Sequence, residues 1–272
     1  MMTTQIARSN DIELSYRVLG RGDETVLMIM GLGGQAADWG VPFPERLAER
    51  FRVVLFDNRG TGASSKPRSE WSLDDMARDA LCVLDAVGVE RAHVVGISMG
   101  GMIAQLIALD QPARIERLVL MSTNFGGYDL VPPTLDVGAI FAPPPGTPVD
   151  QVIRTSMSAI AAPGFAKSNP EAIEELVRIA VASPTPRRAF VAQLQAILSN
   201  DRSRRVAGIR APTLVVHGDL DPLIPYPNGV ALAERIPGAE LVTLPGCGHL
   251  PMWEASDALS RVVTEFLANG RD

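Results

Sequence analysis

His93-Val94-Val95-Gly96-Ile97-Ser98-Met99-Gly100-Gly101-Met102-Ile103-Ala104-Gln105-Leu106-Ile107-Ala108-Leu109 changes its hydrophobic period partway along. Val94, Val95 and Ile97 make a short apolar run of the kind buried on both faces of a parallel sheet, whereas the residues after Gly101 carry apolar side chains at helical spacing. A strand therefore gives way to a helix at Ser98. Gly96 and Gly100 flank that serine where strand and helix backbones must pass in contact, and a Cβ at either place would collide. The result is a Gly-x-Ser-x-Gly elbow. Its hydroxyl stands at a helix N-terminus, where unpaired N–H groups and the helix dipole favour developing negative charge.

Outward from the elbow, buried strands are expected at Val26–Met30, Val53–Phe56, Arg117–Met121, Thr213–His217 and Glu240–Leu244, with a half-buried alternating strand at Ile12–Val18. Helices are expected near Phe43–Arg50, Asp74–Val87, Gly229–Arg235 and Trp253–Ala268. That alternation argues for a parallel, doubly wound sheet. From about Gly126 to Asn200 it stops. Prolines 132, 133, 143, 144, 145 and 148 interrupt the pattern, and helices are read at Gln151–Ala161, Pro170–Ala182 and Pro186–Leu198.

Composition limits the alternatives. The 272 residues, 46% of them hydrophobic, can bury one sizeable core, and the formal charge of −6 offers no basic face for nucleic acid. Cys82 and Cys247 form neither a disulfide framework nor a zinc motif, and Cys82 falls in an apolar helical pattern that suggests a core position. The N-terminal residues do not read as a signal peptide, and nowhere are there about 18 consecutive apolar residues. A cytoplasmic protein without membrane contact, metal or cofactor is expected. A homo-oligomer is left open.

A serine hydroxyl needs a base near neutral pKa, and that base needs a group to fix its tautomer. Of the three histidines, His93 begins the elbow strand at the end away from Ser98, and His217 ends a strand. His249 lies in a glycine-flanked loop after the last strand, from which it can reach the carboxyl edge of the sheet. It is the expected base.

On these features the chain resembles the α/β-hydrolase superfamily, and the likeness covers most of its length. The run Asp57-Asn58-Arg59-Gly60-Thr61-Gly62-Ala63-Ser64 is similar to a family segment after the next core strand, and Asp57 and Arg59 are read as bracing that loop by ion pairing. The resemblance implies an α/β-hydrolase fold, a mostly parallel eight-stranded sheet flanked by helices. Its domains would be a core of residues 1–125 and 201–272 and a helical cap of residues 126–200, inserted before the penultimate strands. Gly218-x-x-Asp221-x-x-x-Pro225 resembles the family's acid motif, so Asp221 is the implied acid, with Asp219 its local rival and His217 structural. Serine, acid, histidine is then the chain order. By position, the oxyanion donors are the backbone N–H groups of Leu32 and Met99. The family's histidine before that loop is here Met30.

The expected reaction is cleavage of a carboxylic ester or lactone of a small to medium, largely apolar molecule through an acyl-enzyme on Ser98. The Met-Gly-Leu-Gly-Gly loop resembles bacterial esterases near polyketide methyl esterases, and the overall length resembles 3-oxoadipate enol-lactonases. Met30, Trp39, Phe125, Phe141, Met157 and Phe165 are candidates for an apolar pocket, each equally able to be core. Arg187 and Arg188 are candidates for a substrate carboxylate or for a solvated helix start. The same fold and triad also serve perhydrolases, carbon–carbon bond hydrolases, decarboxylating or cyclising enzymes and slow-turnover ligand receptors.

Overall fold

The structure is a computed structural model that describes residues 4–269. Its strands are β1 (Gln5–Ser9), β2 (Ile12–Leu19), β3 (Thr25–Ile29), β4 (Arg52–Phe56), β5 (Ala92–Ile97), β6 (Ile115–Met121), β7 (Thr213–Gly218) and β8 (Glu240–Leu244). They form one sheet in the order β1-β2-β4-β3-β5-β6-β7-β8. The two pairings that involve β2 are antiparallel, and the rest are parallel. The helices are α1 (Pro42–Ala48), α2 (Leu73–Ala86), α3 (Met99–Asp110), α4 (Val137–Phe141), α5 (Val149–Ile160), α6 (Phe165–Ser168), α7 (Pro170–Ala182), α8 (Arg187–Leu198), α9 (Tyr226–Arg235), α10 (Pro251–Glu254) and α11 (Ser256–Ala268). This is the expected α/β-hydrolase fold. Among the described residues no helix is long and apolar enough to cross a membrane.

Each central strand feeds two cores, which is why these strands read as continuous apolar runs. Leu27, Ile29, Val94, Leu118 and Leu120 pack toward α2 and α3, while Val26, Met28, Val95, Val119 and Met121 pack toward α1 and α11. α2 begins with a capping box, in which Ser72 accepts from the Asp75 N–H and Asp75 accepts from the Ser72 N–H.

Several elements differ from the sequence reading. β1 was not anticipated, because at an edge only Ala7 and Ser9 of its five residues are buried and no apolar alternation marks it. α4 and α6, of five and four residues, are too short to show a period. The final helix is two, interrupted at Ala255. Arg59 does not pair with Asp57. It reaches Asp79 on α2 at 2.5 Å, while the Asp57 carboxylate accepts the N–H groups of Ala36 and Ala63. Cys82 is half-buried rather than core, and its thiol donates to the Arg8 carbonyl under β1.

The two elbow glycines are required by contact. A Cβ at Gly96 would lie 2.4 Å from the Gly100 carbonyl oxygen, and one at Gly100 would lie 1.9 Å from that of Ile29. Gly88, at φ +71°, has nothing within 4 Å. Gly100→Ala is therefore expected to destabilise by about 3 kcal/mol or more, and Gly88→Ala by only about 1 kcal/mol. Urea unfolding of both variants checks the contrast.

Candidate active site

Four loops deliver the site to one edge of the sheet. Gly31–Gly34 follows β3, Ser98 follows β5, Asp221 follows β7 and His249 follows β8, so all emerge at the carboxyl ends of parallel strands.

Ser98 is held at φ +53°, ψ −121°, a strained backbone for a residue with a side chain. Surrounding structure imposes it. The Ser98 N–H donates to the Met121 carbonyl, and the Ser98 carbonyl accepts from the Met102 N–H and the Thr123 hydroxyl. The site around it is enclosed: Ser98 is 9% exposed and His249 4%.

His249 Nδ1 lies 2.7 Å from Asp221 Oδ2. Because the carboxylate can only accept, Nδ1 carries the proton and Nε2 is left as the basic nitrogen. Asp221 Oδ1 accepts the N–H groups of Leu223 and Ile224, both at 2.9 Å. Burial alone would raise the Asp221 pKa. The charge on His249 and hydrogen bonds from His217 and His249 outweigh it and bring the carboxyl down to about 2. His217 lies beneath, with Nε2 2.7 Å from the Ile224 carbonyl oxygen and 3.5 Å from Asp221 Oδ2. The rival carboxylate, Asp219, is exposed and accepts the Gly246 N–H instead.

The structure brings Gly31 against the serine, since a Cβ at Gly31 would lie 3.2 Å from Ser98 Cβ and 3.7 Å from its Oγ. The next N–H is that of Leu32. Met99 is the first residue of α3, so its N–H has no intrahelical acceptor. Among the described residues no hydrogen bond joins the Ser98 hydroxyl to His249, a contact that commonly tightens only when substrate is bound.

Two bracing residues were not found from sequence. Glu254, on α10, accepts the N–H groups of Gly248 and Leu250 on either side of His249, and that of Ala162 from the segment after α5. Gln193, on α8, joins the loop after β3 to that after β4, accepting the Gly33 N–H and donating to the Arg59 carbonyl. A lone Glu or Gln on a helix carries no local signal of such reach.

The apolar candidates separate. Met157, Phe141 and Phe165 are half-buried and pack with Leu135 and Ile153 against a cluster that contains Met30, Ile160 and Leu250. Trp39 and Phe125 have no surface facing even a water-sized space, and the Arg235 guanidinium covers the Phe125 ring at 4.0 Å. These two are core. Arg187 and Arg188 are exposed, and Arg188 donates to the Lys66 carbonyl. Cys247 is buried, and burial followed by the charges of Glu254, Asp221 and Asp219 pushes its thiol pKa up, away from reactivity.

Residues 26–262 match the model of the alpha/beta hydrolase family. A 2-hydroxy-6-oxononadienedioate/2-hydroxy-6-oxononatrienedioate hydrolase of Pseudomonas putida is 32% identical, over 94% of this chain and 92% of that one. The crystal structure of the enol-lactonase from Burkholderia xenovorans LB400 superposes with a TM-score of 0.87 at 26% identity, over 97% of this chain and 100% of that one. Est816, described as an N-acyl homoserine lactone degrading enzyme, superposes with a TM-score of 0.83 at 26% identity, over 96% and 100%.

Asp38, in the turn beyond the Gly31–Gly34 loop, accepts the Gln35 N–H, and burial, with the charge of Asp57, holds its carboxyl up at about 7. An acid with a raised native pKa binds more protons folded than unfolded, so stability falls as pH rises from about 4 to about 7. Asp38→Asn keeps the acceptor and removes the proton. Its melting temperature is expected to lose that part of the pH dependence, as thermal unfolding across this range will measure.

Proposed function

The chain belongs to the alpha/beta hydrolase family, and from that premise we propose that it cleaves a carboxylic ester or lactone of a small to medium, neutral, largely apolar molecule. The observation that carries the reading is the His249–Asp221 pair at 2.7 Å, delivered to the sheet edge where Ser98 stands strained at the end of β5.

In the proposed mechanism Ser98 Oγ attacks the carbonyl carbon while His249 Nε2 takes its proton. Asp221, held as a carboxylate, fixes the tautomer and stabilises the imidazolium. The tetrahedral oxyanion is received by the N–H groups of Leu32 and Met99. His249 then gives its proton to the leaving alkoxide, the carbon–oxygen bond breaks, and water activated by His249 releases the acid. Residues 126–200 act as a cap, and Phe141, Met157 and Phe165, with Met30, present apolar surface to the substrate.

A second reading comes from the Pseudomonas putida relative, whose named substrate is a dicarboxylate with a ketone and no ester, so that its hydrolysis breaks a carbon–carbon bond. Such a dianion calls for cationic partners. Here Arg187 and Arg188 are exposed, Arg188 donating to the Lys66 carbonyl, and α4, α5 and α6 lay Phe141, Ile153, Met157 and Phe165 against the core. This supports the neutral substrate. The enol-lactonase and the lactone-degrading Est816 support the ester or lactone part of the reading.

A panel of short p-nitrophenyl esters, lactones and dicarboxylate dienones tests the reading. Esters or lactones are expected to turn over well above the dienones, and Ser98→Ala is expected to lower kcat by at least about 10³-fold. Wild-type turnover by Ser98→Ala, or preference for the dianion, contradicts it.

A further inference from the structure

We propose that Gln193 is a positioning residue for the oxyanion pocket, through which α8 fixes the loop that bears the Leu32 N–H. The inference rests on the acyl-transfer reading above.

Gln193 is wholly buried, and its amide is spent on two backbone groups from different loops. Oε1 accepts the Gly33 N–H at 2.8 Å, and Nε2 donates to the Arg59 carbonyl at 2.9 Å. The chemistry of the partners settles which end is which, since an N–H must meet oxygen and a carbonyl must meet nitrogen. The other side of Gly33 is also held from the same region. Thr185, just before α8, donates its hydroxyl to the Gly33 carbonyl at 2.9 Å, and the Phe190 ring lies 2.9 Å from where a Gly33 Cβ would be. Two residues further on, Gln35 Nε2 donates to the carbonyls of Ile179 and Ser183.

What these bonds fix is a tight turn. The Gly34 N–H donates to the Gly31 carbonyl at 3.2 Å and Gly33 has φ +70°, the arrangement of a type II turn with Leu32 and Gly33 at its centre. Type I and type II turns differ by a flip of the central peptide, here the one joining Leu32 to Gly33. Gln193 accepts the N–H of that same peptide. Without it the N–H is left buried and unpaired, and the flipped turn competes. Gly31 touches Ser98, and the Leu32 N–H belongs to the peptide just before the one Gln193 holds, so releasing that hold loosens the aim of the Leu32 N–H at the point where the oxyanion forms. The competence of the oxyanion pocket thus depends on α8 being seated.

The test is steady-state kinetics on a short p-nitrophenyl ester, normalised by active-site titration, for wild type, Ser98→Ala, Gln193→Met and Thr185→Val. Gln193→Met is expected to lower kcat about 10- to 100-fold with KM within about threefold, less than the loss of an oxyanion donor outright. Thr185→Val is expected to lower kcat several-fold with the same split. A residue that merely stabilises the fold would lower the melting temperature and leave kcat per active site unchanged, and that result overturns the proposal. If Gln193→Met does not fold, Thr185→Val decides alone, and wild-type kcat there overturns it. An active Ser98→Ala overturns the acyl-transfer reading, and this inference with it, whereas an inactive Ser98→Ala beside an unaffected Gln193→Met overturns this inference only.

Discussion

The backbone of Ser98 is the constraint from which the rest of the site follows. A side-chain-bearing residue at φ +53° persists only where its neighbours determine it, and here the neighbours are β3, β5, β6 and the first turn of α3. Glycines at 96 and 100 allow the strand, the helix and β3 to approach to a distance no Cβ permits. Because β3 and β5 are paired in register, Val26 with His93 through Ile29 with Gly96, the loop after β3 arrives beside Ser98. The central sheet therefore acts as a jig. Its two apolar cores fix strand positions to within side-chain packing tolerance, and Ser98, Asp221 and His249 inherit that precision at the carboxyl edge.

Outside that jig, positions are set by polar side chains that grip backbone. Asp57 holds the amides of Ala36 and Ala63, Glu254 those that flank His249, and Asp221 those of Leu223 and Ile224. Each replaces the regular ladders that loops lack. Several of the bonds run between the segment after β6 and the loops of the core: His249 donates its N–H to the Ile160 carbonyl, and Glu254 reaches Ala162. That segment is thereby wired to the loop that carries His249.

The central fold was legible because periodicity records burial. Runs such as Val26–Met30 and Leu118–Leu120 are apolar on both faces, and the elbow is marked by glycines whose absence would be a collision. Ser98 and His249 could be singled out from local pattern and strand order, and Asp221 from family resemblance. Edge strand β1 and the short helices α4 and α6 were not legible, having too little buried surface to impose a period. The partner of Arg59 was misjudged because the local sequence offers Asp57 two residues away, whereas the fold brings Asp79 at 2.5 Å. For the same reason Gln193 stayed hidden, its Gly33 partner lying 160 residues off, while Glu254 was missed because a lone Glu on a short helix gives no sign that its carboxylate will turn back onto the His249 loop. The burial of the aromatic residues was not legible either: Phe141 and Phe165 are half-buried, whereas Trp39 and Phe125 are wholly buried.

The most direct measurement is a crystal structure of the protein treated with an alkyl boronic acid, which adds to an activated serine as a tetrahedral adduct. The expected result is a bond from boron to Ser98 Oγ, one boronate oxygen within about 3 Å of the backbone nitrogens of Leu32 and Met99, and His249 Nε2 turned toward the adduct. Boron bound elsewhere, or an oxygen that faces neither amide, would contradict it.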